Sequence, residues 1–285
     1  MKIGLIPAFG GGISTTPEFV TGVVRAAERN GFDSLWAGEH VVLPVHQYTE
    51  YPGSQGGLAA PSSAPLPDPL EWLSYAAGKT DTLLLGTAIL LVTLHHPLTL
   101  AKRLATLDSL SAGRVRIGVG IGWNPQEYGA LGVPFEARGS RLEEYIAAMR
   151  TLWHESERGF EGKFVSFEPV YSSPKPHGPS IPVLIGGDSD AAARRAGRIG
   201  DGYFPFERNR ERLGELLTIM RTAAEKADRD PSAIEVNVRG STRPEAVEQF
   251  EALGVTRMTV FMSGPDVDSI DELGARCRAA IGSAS

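Results

Sequence analysis

Short apolar runs alternate with longer amphipathic stretches along almost the whole chain. Eight of the runs have the length and composition of buried strands, at residues 3–7, 33–37, 83–91, 114–120, 182–185, 202–205, 234–238 and 257–261. The stretches between them repeat apolar residues every three or four positions, which is the period of a helix. This alternation predicts βα units around a parallel sheet. Eight consecutive units favour an α/β fold closed into a (β/α)8 TIM barrel over an open doubly wound sheet, because closure leaves no exposed strand edge.

Residues typical of helix starts precede two of the amphipathic stretches. Asp68 is followed three positions later by Glu71, which is a capping-box pattern. Ser140 and Glu143 have the same spacing further along the chain. We therefore expect helices to begin at these two places, with Asp68 and Ser140 as their N-caps.

Two segments interrupt the alternation. Residues 39–67, after the second strand, are rich in Pro, Gly and Ser and are longer than an ordinary connection. Residues 159–181, before the fifth strand, contain hairpin-like aromatic residues and several prolines. We interpret both as insertions into a single barrel domain that spans residues 1–285, the first of them as a functional or mobile loop.

Composition and charge narrow the classes of function. The formal net charge of −6 argues against nucleic-acid binding, which needs a dense Lys/Arg face. No apolar run approaches the length of about 18 residues expected of a membrane helix. The chain also starts directly with a predicted strand, so we expect a cytoplasmic protein without membrane contact. Cys277, the single cysteine, has no metal-ligand or catalytic partners in the sequence around it and is expected to fill the core.

The active site of a (β/α)8 barrel is built from the loops that follow its strands. The fourth predicted strand ends in a run with glycine at alternate positions, Gly118, Gly120 and Gly122, followed by Trp123 and Asn124. The missing side chains leave backbone that a planar ligand could approach closely. The alternative is a crowded barrel corner, and the run lacks the context of a Rossmann dinucleotide fingerprint.

A second pair of glycines ends the fifth predicted strand. Gly186 and Gly187 come just before a predicted helix, whose unpaired N–H groups and positive dipole end favour a phosphate. An ordinary turn with Asp188 or Ser189 as N-cap explains the same pattern. Arg194-Arg195 lies further inside the helix, and we expect it on a solvated face.

Glu39-His40 follows the second predicted strand, at the start of the first insertion. Imidazole titrates near neutral pH, so proton transfer is one interpretation, and an ordinary hydrogen-bonded histidine is the other. His95-His96 ends the third strand, but adjacent side chains of an extended chain point apart, so no metal site is predicted. Because the chain has no nucleophile elbow, Walker loop or zinc motif, we expect a bound organic cofactor to supply the chemistry.

Several stretches of the chain match, in order, those of the bacterial luciferase-like monooxygenase family. They are Phe32-Asp33-Ser34-Leu35-Trp36 with Glu39-His40, Leu85-Gly86-Thr87-Ala88, Leu107-Asp108-Ser109-Leu110-Ser111-Ala112-Gly113-Arg114, Leu131-Gly132-Val133-Pro134-Phe135, Pro182-Val183-Leu184-Ile185-Gly186-Gly187 and Ala196-Gly197-Arg198-Ile199-Gly200-Asp201-Gly202-Tyr203. The chain resembles this family over nearly its whole length. Within it, the chain most resembles the branch that uses the deazaflavin coenzyme F420.

The resemblance implies an oxidoreductase that transfers hydride between F420 and a small organic substrate. The ring would lie on Ala88-Ile89, where related enzymes have a bulge with a non-prolyl cis peptide. His40 would donate or accept the proton, and Glu39 would contact the ring or orient the imidazole. The remaining cofactor contacts implied are, for the ring and its side chain, Gly120, Gly122, Trp123, Asn124 and Glu127, and, for the phosphate, Ile185, Gly186 and Gly187. The family habit is a homodimer.

The chain departs from the F420-dependent sugar dehydrogenases of this family at two positions. Trp123 stands where they have an acidic residue, and Pro44 where they have a loop tryptophan. We therefore expect an apolar or aromatic substrate rather than a sugar phosphate. The alternatives are an FMN-dependent monooxygenase and a non-catalytic flavin-binding protein. An aldolase-type barrel is disfavoured because Lys2, Lys79 and Lys102 do not stand at predicted strand ends.

Overall fold

The computed structural model describes residues 1–9, 14–46, 62–154 and 157–284. The strands are β1 (Lys2–Ile6), β2 (Ser34–Ala37), β3 (Leu84–Leu90), β4 (Val115–Val119), β5 (Arg158–Phe160), β6 (Phe167–Val170), β7 (Val183–Gly186), β8 (Gly202–Phe204), β9 (Glu235–Arg239) and β10 (Arg257–Phe261). The helices are α1 (Pro17–Arg29), α2 (Pro69–Ala77), α3 (Pro97–Leu110), α4 (Pro125–Ala130), α5 (Arg138–His154), α6 (Asp190–Ile199), α7 (Arg210–Glu225), α8 (Pro244–Ala252) and α9 (Ser269–Ala284).

Eight of these strands form a closed parallel barrel in the order β1-β2-β3-β4-β7-β8-β9-β10. β10 pairs back onto β1 with Lys2 opposite Arg257 and Ile6 opposite Phe261. The predicted (β/α)8 TIM barrel is therefore confirmed. The second predicted insertion contains the antiparallel hairpin β5–β6, while residues 47–61 of the first lie outside the described residues.

The two predicted capping boxes have different outcomes. The Asp68 carboxylate accepts hydrogen bonds from the N–H groups of Leu70 and Glu71, so the first N-cap is confirmed. The second is wrong, because α5 already begins at Arg138 and the Ser140 hydroxyl donates to the carbonyl of Ala137. Ser140 therefore lies inside the first turn of α5, where its hydroxyl bonds backward instead of capping the helix.

The barrel interior is filled by a tryptophan that two glycines accommodate. Trp36 is fully buried, and its indole N–H donates to the hydroxyl of Ser34. A Cβ at Gly86 would lie 2.1 Å from the Trp36 ring, and one at Gly4 would lie 2.5 Å from its Nε1 atom. These two strand positions thus have no side chain because the indole occupies the space.

A buried ion-pair cluster closes the N-terminal end of the barrel. The Arg257 guanidinium lies 3.1 Å from the Asp33 carboxylate and 3.2 Å from that of Glu235, and it donates to the Ser34 hydroxyl. Burial raises the pKa of Asp33, although Arg257 opposes that shift. With this end occupied, the C-terminal ends of the strands remain as the open face of the barrel.

Candidate active site

The floor of the open face is a small apolar cluster. Its fully enclosed members are Ile6, Trp36, Leu184 and Phe204, and Phe9, Ala88, Ile89 and Phe206 pack on it as partly buried side chains. These residues belong to β1, β2, β3, β7 and β8, or follow one of these strands within three positions. We call this open face the barrel mouth.

The bulge predicted in the third strand is present. The peptide bond between Ala88 and Ile89 is cis, as the resemblance implied. The register between β3 and β4 shifts between Thr87 and Leu90, and the Thr87 hydroxyl donates to the carbonyl of Gly118 at 2.8 Å. The Ile89 carbonyl accepts a hydrogen bond from the N–H of Glu39 at 3.2 Å. The bulge is thereby joined to both neighbouring strands.

The glycines of the mouth make room for the side chain of Ile89. A Cβ at Gly120 or at Gly186 would lie 2.8 Å from the Ile89 side chain, and one at Gly118 would lie 2.3 Å from the Thr87 carbonyl oxygen and 3.1 Å from Ile89. At Gly118 and Gly120 the structure therefore supports the alternative interpretation, a crowded barrel corner, and the interpretation as backbone left open for a ligand is corrected there. A ligand over β4 and β7 would meet the side chain of Ile89.

Glu39 is buried and holds the segment that follows β3. One carboxylate oxygen accepts the N–H of Leu91 at 2.6 Å, and the other lies 2.8 Å from Nε2 of His95. Only 3% of the Glu39 side chain is exposed. Two roles were expected for Glu39, contact with the ring or orientation of the His40 imidazole. The structure does not show the second, because the Glu39 carboxylate lies against His95.

The imidazole of His40 is held by Glu127 of α4. Nδ1 of His40 lies 3.0 Å from one Glu127 oxygen, and the N–H of Val41 donates to the other at 2.7 Å. The Glu127 side chain is 1% exposed, whereas that of His40 is 16% exposed. Glu127 was expected to line the cofactor, but both its oxygens are engaged by the His40 segment. The pair leaves Nε2 of His40 as the ring atom able to exchange a proton.

Trp123 and Asn124 lie beside this pair at the start of α4. The Trp123 ring meets the His40 imidazole edge to face, with centroids 6.0 Å apart. Asn124 caps α4 by accepting the N–H of Gln126, while its buried Nδ2 atom has no hydrogen-bond partner among the described residues. Gly122 has φ of 65°, which permits the turn between β4 and α4. The helix itself was not predicted, although Asn124 followed by Pro125 is a helix-start signal.

The turn between β7 and α6 has the geometry of a helix N-terminal site and also carries acidic groups. Gly187 has φ of 114°, and Ser189 is the N-cap, accepting the N–H of Ala192. The Asp188 carboxylate accepts the N–H of Phe206, and burial raises its pKa. The N–H groups at the N-terminal end of α6 are compatible with a phosphate at this turn.

Arg195 does not lie on a solvated face as expected. Its side chain is 10% exposed, and its Nε donates to Glu143 at 3.0 Å. Arg194 is half exposed, in agreement with the expectation. Neighbouring residues of a helix point in directions about 100° apart, so Arg195 turns toward α5 while Arg194 turns toward solvent.

His95 is a functional candidate that the sequence interpretation missed. It was considered only as half of a metal pair with His96, and was set aside for that reason. Its position after a barrel strand was the signal that could have selected it.

Among the described residues, no three His, Cys, Asp or Glu side chains are placed to share a metal ion. Within the same ranges, no helix is long and apolar enough to span a membrane.

These features define a (β/α)8 barrel with a candidate active site at the C-terminal ends of its strands. Ile89 and the apolar floor offer a surface for a planar ring. A model of the luciferase-like monooxygenase family matches residues 4–253. The chain belongs to the luciferase-like monooxygenase family.

Two relatives show how far the similarity extends. The chain is 35% identical over 249 residues to an uncharacterized protein of Mycobacterium tuberculosis, covering 86% of this chain and 87% of that protein. It is 32% identical over 234 residues to the F420-dependent glucose-6-phosphate dehydrogenase of Beutenbergia cavernae, covering 79% of this chain and 65% of that enzyme.

Solved structures agree with the fold. The crystal structure of the monooxygenase RslO1 from Streptomyces bottropensis superposes with a TM-score of 0.65 at 27% identity, covering all of this chain and 79% of that one. An F420-dependent secondary alcohol dehydrogenase in complex with an F420-acetone adduct superposes with a TM-score of 0.78 at 20% identity, covering 98% of each chain. The second likeness is one of fold alone.

Proposed function

We propose that this protein is an oxidoreductase that uses coenzyme F420 for hydride transfer to or from a small apolar or aromatic substrate. The observation that carries the proposal is the His40–Glu127 pair, held beside Trp123 and the apolar floor of the mouth. Similarity to an F420-dependent dehydrogenase at 32% identity supports the choice of cofactor. The cofactor would supply the hydride donor or acceptor.

The residues of the chain would handle binding and the proton. Ala88 and Ile89 would support the ring, and the Gly186-Gly187 turn would hold the phosphate at the start of α6. Glu127, by accepting from Nδ1–H of His40, would leave a lone pair on Nε2. His40 would then take a proton from the substrate at Nε2, or return one in the reverse direction.

The described part of the first insertion offers apolar cover for the site. Val41, Val42 and Val45 are exposed apolar side chains directly after His40. The carbonyl of His46 accepts a hydrogen bond from Nε2 of Gln126, which joins this segment to α4. An apolar segment fixed beside the proton-transferring imidazole would exclude water from a bound substrate.

The test is cofactor titration combined with substitution of His40. The apoprotein should quench F420 fluorescence on binding, and His40→Ala should reduce turnover by roughly 100-fold or more while F420 affinity stays within about threefold. His177→Ala is the matched control, since His177 is exposed and lies against Gly113 near the start of β4. Unchanged turnover in His40→Ala would remove His40 from the mechanism.

An FMN-dependent monooxygenase is the second candidate. It is favoured by the 27% identity to the monooxygenase RslO1 over the whole chain. Titration with FMN and measurement of oxygen consumption separate the two, because only this candidate predicts tight FMN binding with oxygen uptake. Tight binding of either cofactor without turnover of a broad substrate panel would instead favour a non-catalytic flavin-binding protein.

We also propose a cytoplasmic homodimer that binds neither nucleic acid nor membrane. The formal net charge of −6 supports the absence of nucleic-acid binding. Sedimentation equilibrium would test the dimer, and a monomer at micromolar concentration would contradict it.

A further inference from the structure

Glu39 is joined to the bulge of β3 and to the turn after it at three points. Its N–H donates to the carbonyl of Ile89 at 3.2 Å, and one carboxylate oxygen accepts the N–H of Leu91 at 2.6 Å. The other carboxylate oxygen lies 2.8 Å from Nε2 of His95. The first two contacts use backbone groups of the partner, which almost any residue supplies. The third needs a side chain that can donate, so it depends on His95.

The turn between β3 and α3 brings His95 back to this carboxylate. Val92–Leu94 form a single turn of 3-10 helix, in which the carbonyl of Leu91 accepts the N–H of Leu94 at 2.8 Å. The N–H of His95 also donates within this turn, at 3.2 Å. The N–H that begins the turn and the imidazole that ends it therefore reach the two oxygens of one carboxylate.

The Glu39 carboxylate depends on these donors because it is buried. Its side chain is 3% exposed, and that of His95 is 17% exposed. A buried carboxylate is stable where hydrogen-bond donors replace the water that it has lost. Without the imidazole, one of the two oxygens would lose its donor. The carboxylate would then be driven to turn toward solvent and away from the Leu91 N–H.

Release of the Leu91 N–H would loosen the bulge at the barrel mouth. Ile89 lies two positions earlier in the chain, and its side chain fills the space beside Gly120 and Gly186. The proposed cofactor ring would lie on Ala88 and Ile89. A change in the bulge would therefore change the surface that the ring meets, although the imidazole itself acts at a distance from it.

We propose that His95 is a positioning residue of the active site. By donating from Nε2, it holds the Glu39 carboxylate on the Leu91 N–H and so keeps the bulge in the form that supports the ring. The inference rests on the proposed function and deepens it, because it gives the two histidines of the mouth different tasks. His95 sets the affinity for the cofactor, whereas His40 handles the proton.

Amide hydrogen exchange and cofactor titration test this role. In His95→Leu, which lacks the donor, the Leu91 amide should exchange about tenfold faster or more. F420 should bind about tenfold more weakly or worse, while kcat at saturating F420 stays within about threefold. His95→Gln should return exchange and affinity to within about threefold of the unmodified protein, because its amide also donates. His96→Leu is the matched control, since His96 is the exposed neighbour and its side chain does not cap α3.

A double-mutant cycle with Glu39→Ala separates action through Glu39 from direct action. In the Glu39→Ala background, His95→Leu should change F420 affinity by less than about twofold, because the group that the imidazole holds is gone. Additive losses of affinity would overturn the inference, as would unchanged exchange of the Leu91 amide in His95→Leu. A fall in kcat at saturating F420 with unchanged affinity would make His95 a proton-transfer group and overturn it as well.

The outcomes also separate this inference from the proposed function. Failure of the unmodified protein to bind F420 would refute the proposed function instead. Exchange of the Leu91 amide is measured on the apoprotein, so it would still decide whether His95 holds Glu39 in place, and the cycle would be measured with FMN. His95→Ala serves as the second variant if the leucine variant does not fold.

Discussion

The Glu39 carboxylate lies 2.8 Å from Nε2 of His95 and not against His40, its neighbour in the sequence. Successive side chains of an extended backbone point to opposite sides, so the two adjacent residues reach different partners. Through its carboxylate, Glu39 joins the end of β2 to the segment after β3. Through its imidazole, His40 joins the end of β2 to Glu127 of α4. Two carboxylate–imidazole pairs thus fix one short stretch of chain at the barrel mouth.

Removal of the Glu39 carboxylate should weaken cofactor binding. In Glu39→Ala, the Leu91 N–H loses its acceptor, and the segment carrying Ile89 keeps only its backbone hydrogen bond to residue 39. We expect F420 to bind at least tenfold more weakly and the free energy of unfolding to fall by about 1–3 kcal/mol. Fluorescence titration and urea unfolding measure the two effects. His95→Gln keeps a donor toward Glu39 and should retain most of the affinity; wild-type F420 affinity in Glu39→Ala would contradict the prediction.

Glu127→Gln should lower turnover more than it lowers cofactor binding. The amide oxygen can still accept the Val41 N–H, which leaves the amide NH2 facing Nδ1 of His40. Nδ1 must then accept, so the proton moves to Nε2 and the imidazole is in the wrong tautomer to act as base. We expect turnover to fall by roughly 100-fold with F420 affinity within about threefold.

Steady-state kinetics and fluorescence titration on the same preparation check the Glu127 prediction. Glu143→Gln is the control, because that carboxylate binds Arg195 and Arg198 between α5 and α6, away from the mouth. A fall in F420 affinity as large as the fall in turnover would show that Glu127 supports the cofactor rather than the tautomer.

The barrel strands could be predicted from the sequence because each has several apolar residues within a short segment of the length that a strand needs. The run at 257–261 matches β10 at both ends, and that at 83–91 exceeds β3 by one residue on each side. The side-chain pairs of the site could not be predicted in this way. Glu39 and His95 are 56 positions apart, and His40 and Glu127 are 87 apart, so only the closure of the barrel brings them together.

The glycines of the mouth show the same limit in another form. A missing Cβ in the sequence indicates that something comes close to the backbone, but not what it is. At Gly120 and Gly186 the neighbour is Ile89, which belongs to a strand on the other side of β4 from β7. In a single sequence, a glycine that makes room for a ligand cannot be told from a glycine that makes room for an isoleucine side chain.

Gly120→Ala should displace Ile89 and weaken cofactor binding. The added Cβ would lie 2.8 Å from Cγ2 of Ile89, closer than packed carbon atoms approach. We expect a loss of about 1–3 kcal/mol in the free energy of unfolding, together with lower F420 affinity. Adding Ile89→Ala to this variant should recover part of the stability, since it removes the clashing atom. Gly129→Ala is the control, because its Cβ would meet nothing within 4 Å.

Chemical denaturation of these variants checks the Gly120 prediction. The coupling between Gly120→Ala and Ile89→Ala should be favourable, because each substitution changes the same contact. Strict additivity of the two effects would show that Gly120→Ala acts through some other neighbour.

Cys277 should make the stability of the protein fall at alkaline pH. It is fully buried in the core, as expected from the sequence, and burial raises the pKa of its thiol from near 9 to about 11. The unfolded chain therefore releases this proton at lower pH than the folded protein does. The contribution of the neutral thiol to stability is present below pH 9 and is lost as the pH rises toward 11.

Urea unfolding at pH 8 and pH 10, with and without Cys277→Ala, isolates this effect. The unmodified protein should lose more stability between the two pH values than the variant, because alanine has no proton to release. The native thiol should also react with a disulfide reagent only after unfolding, since the thiolate is the reactive form and the folded core suppresses it. Rapid labelling of the native protein at pH 8 would show that the thiol is accessible and ionised, and the predicted difference in pH dependence would then disappear.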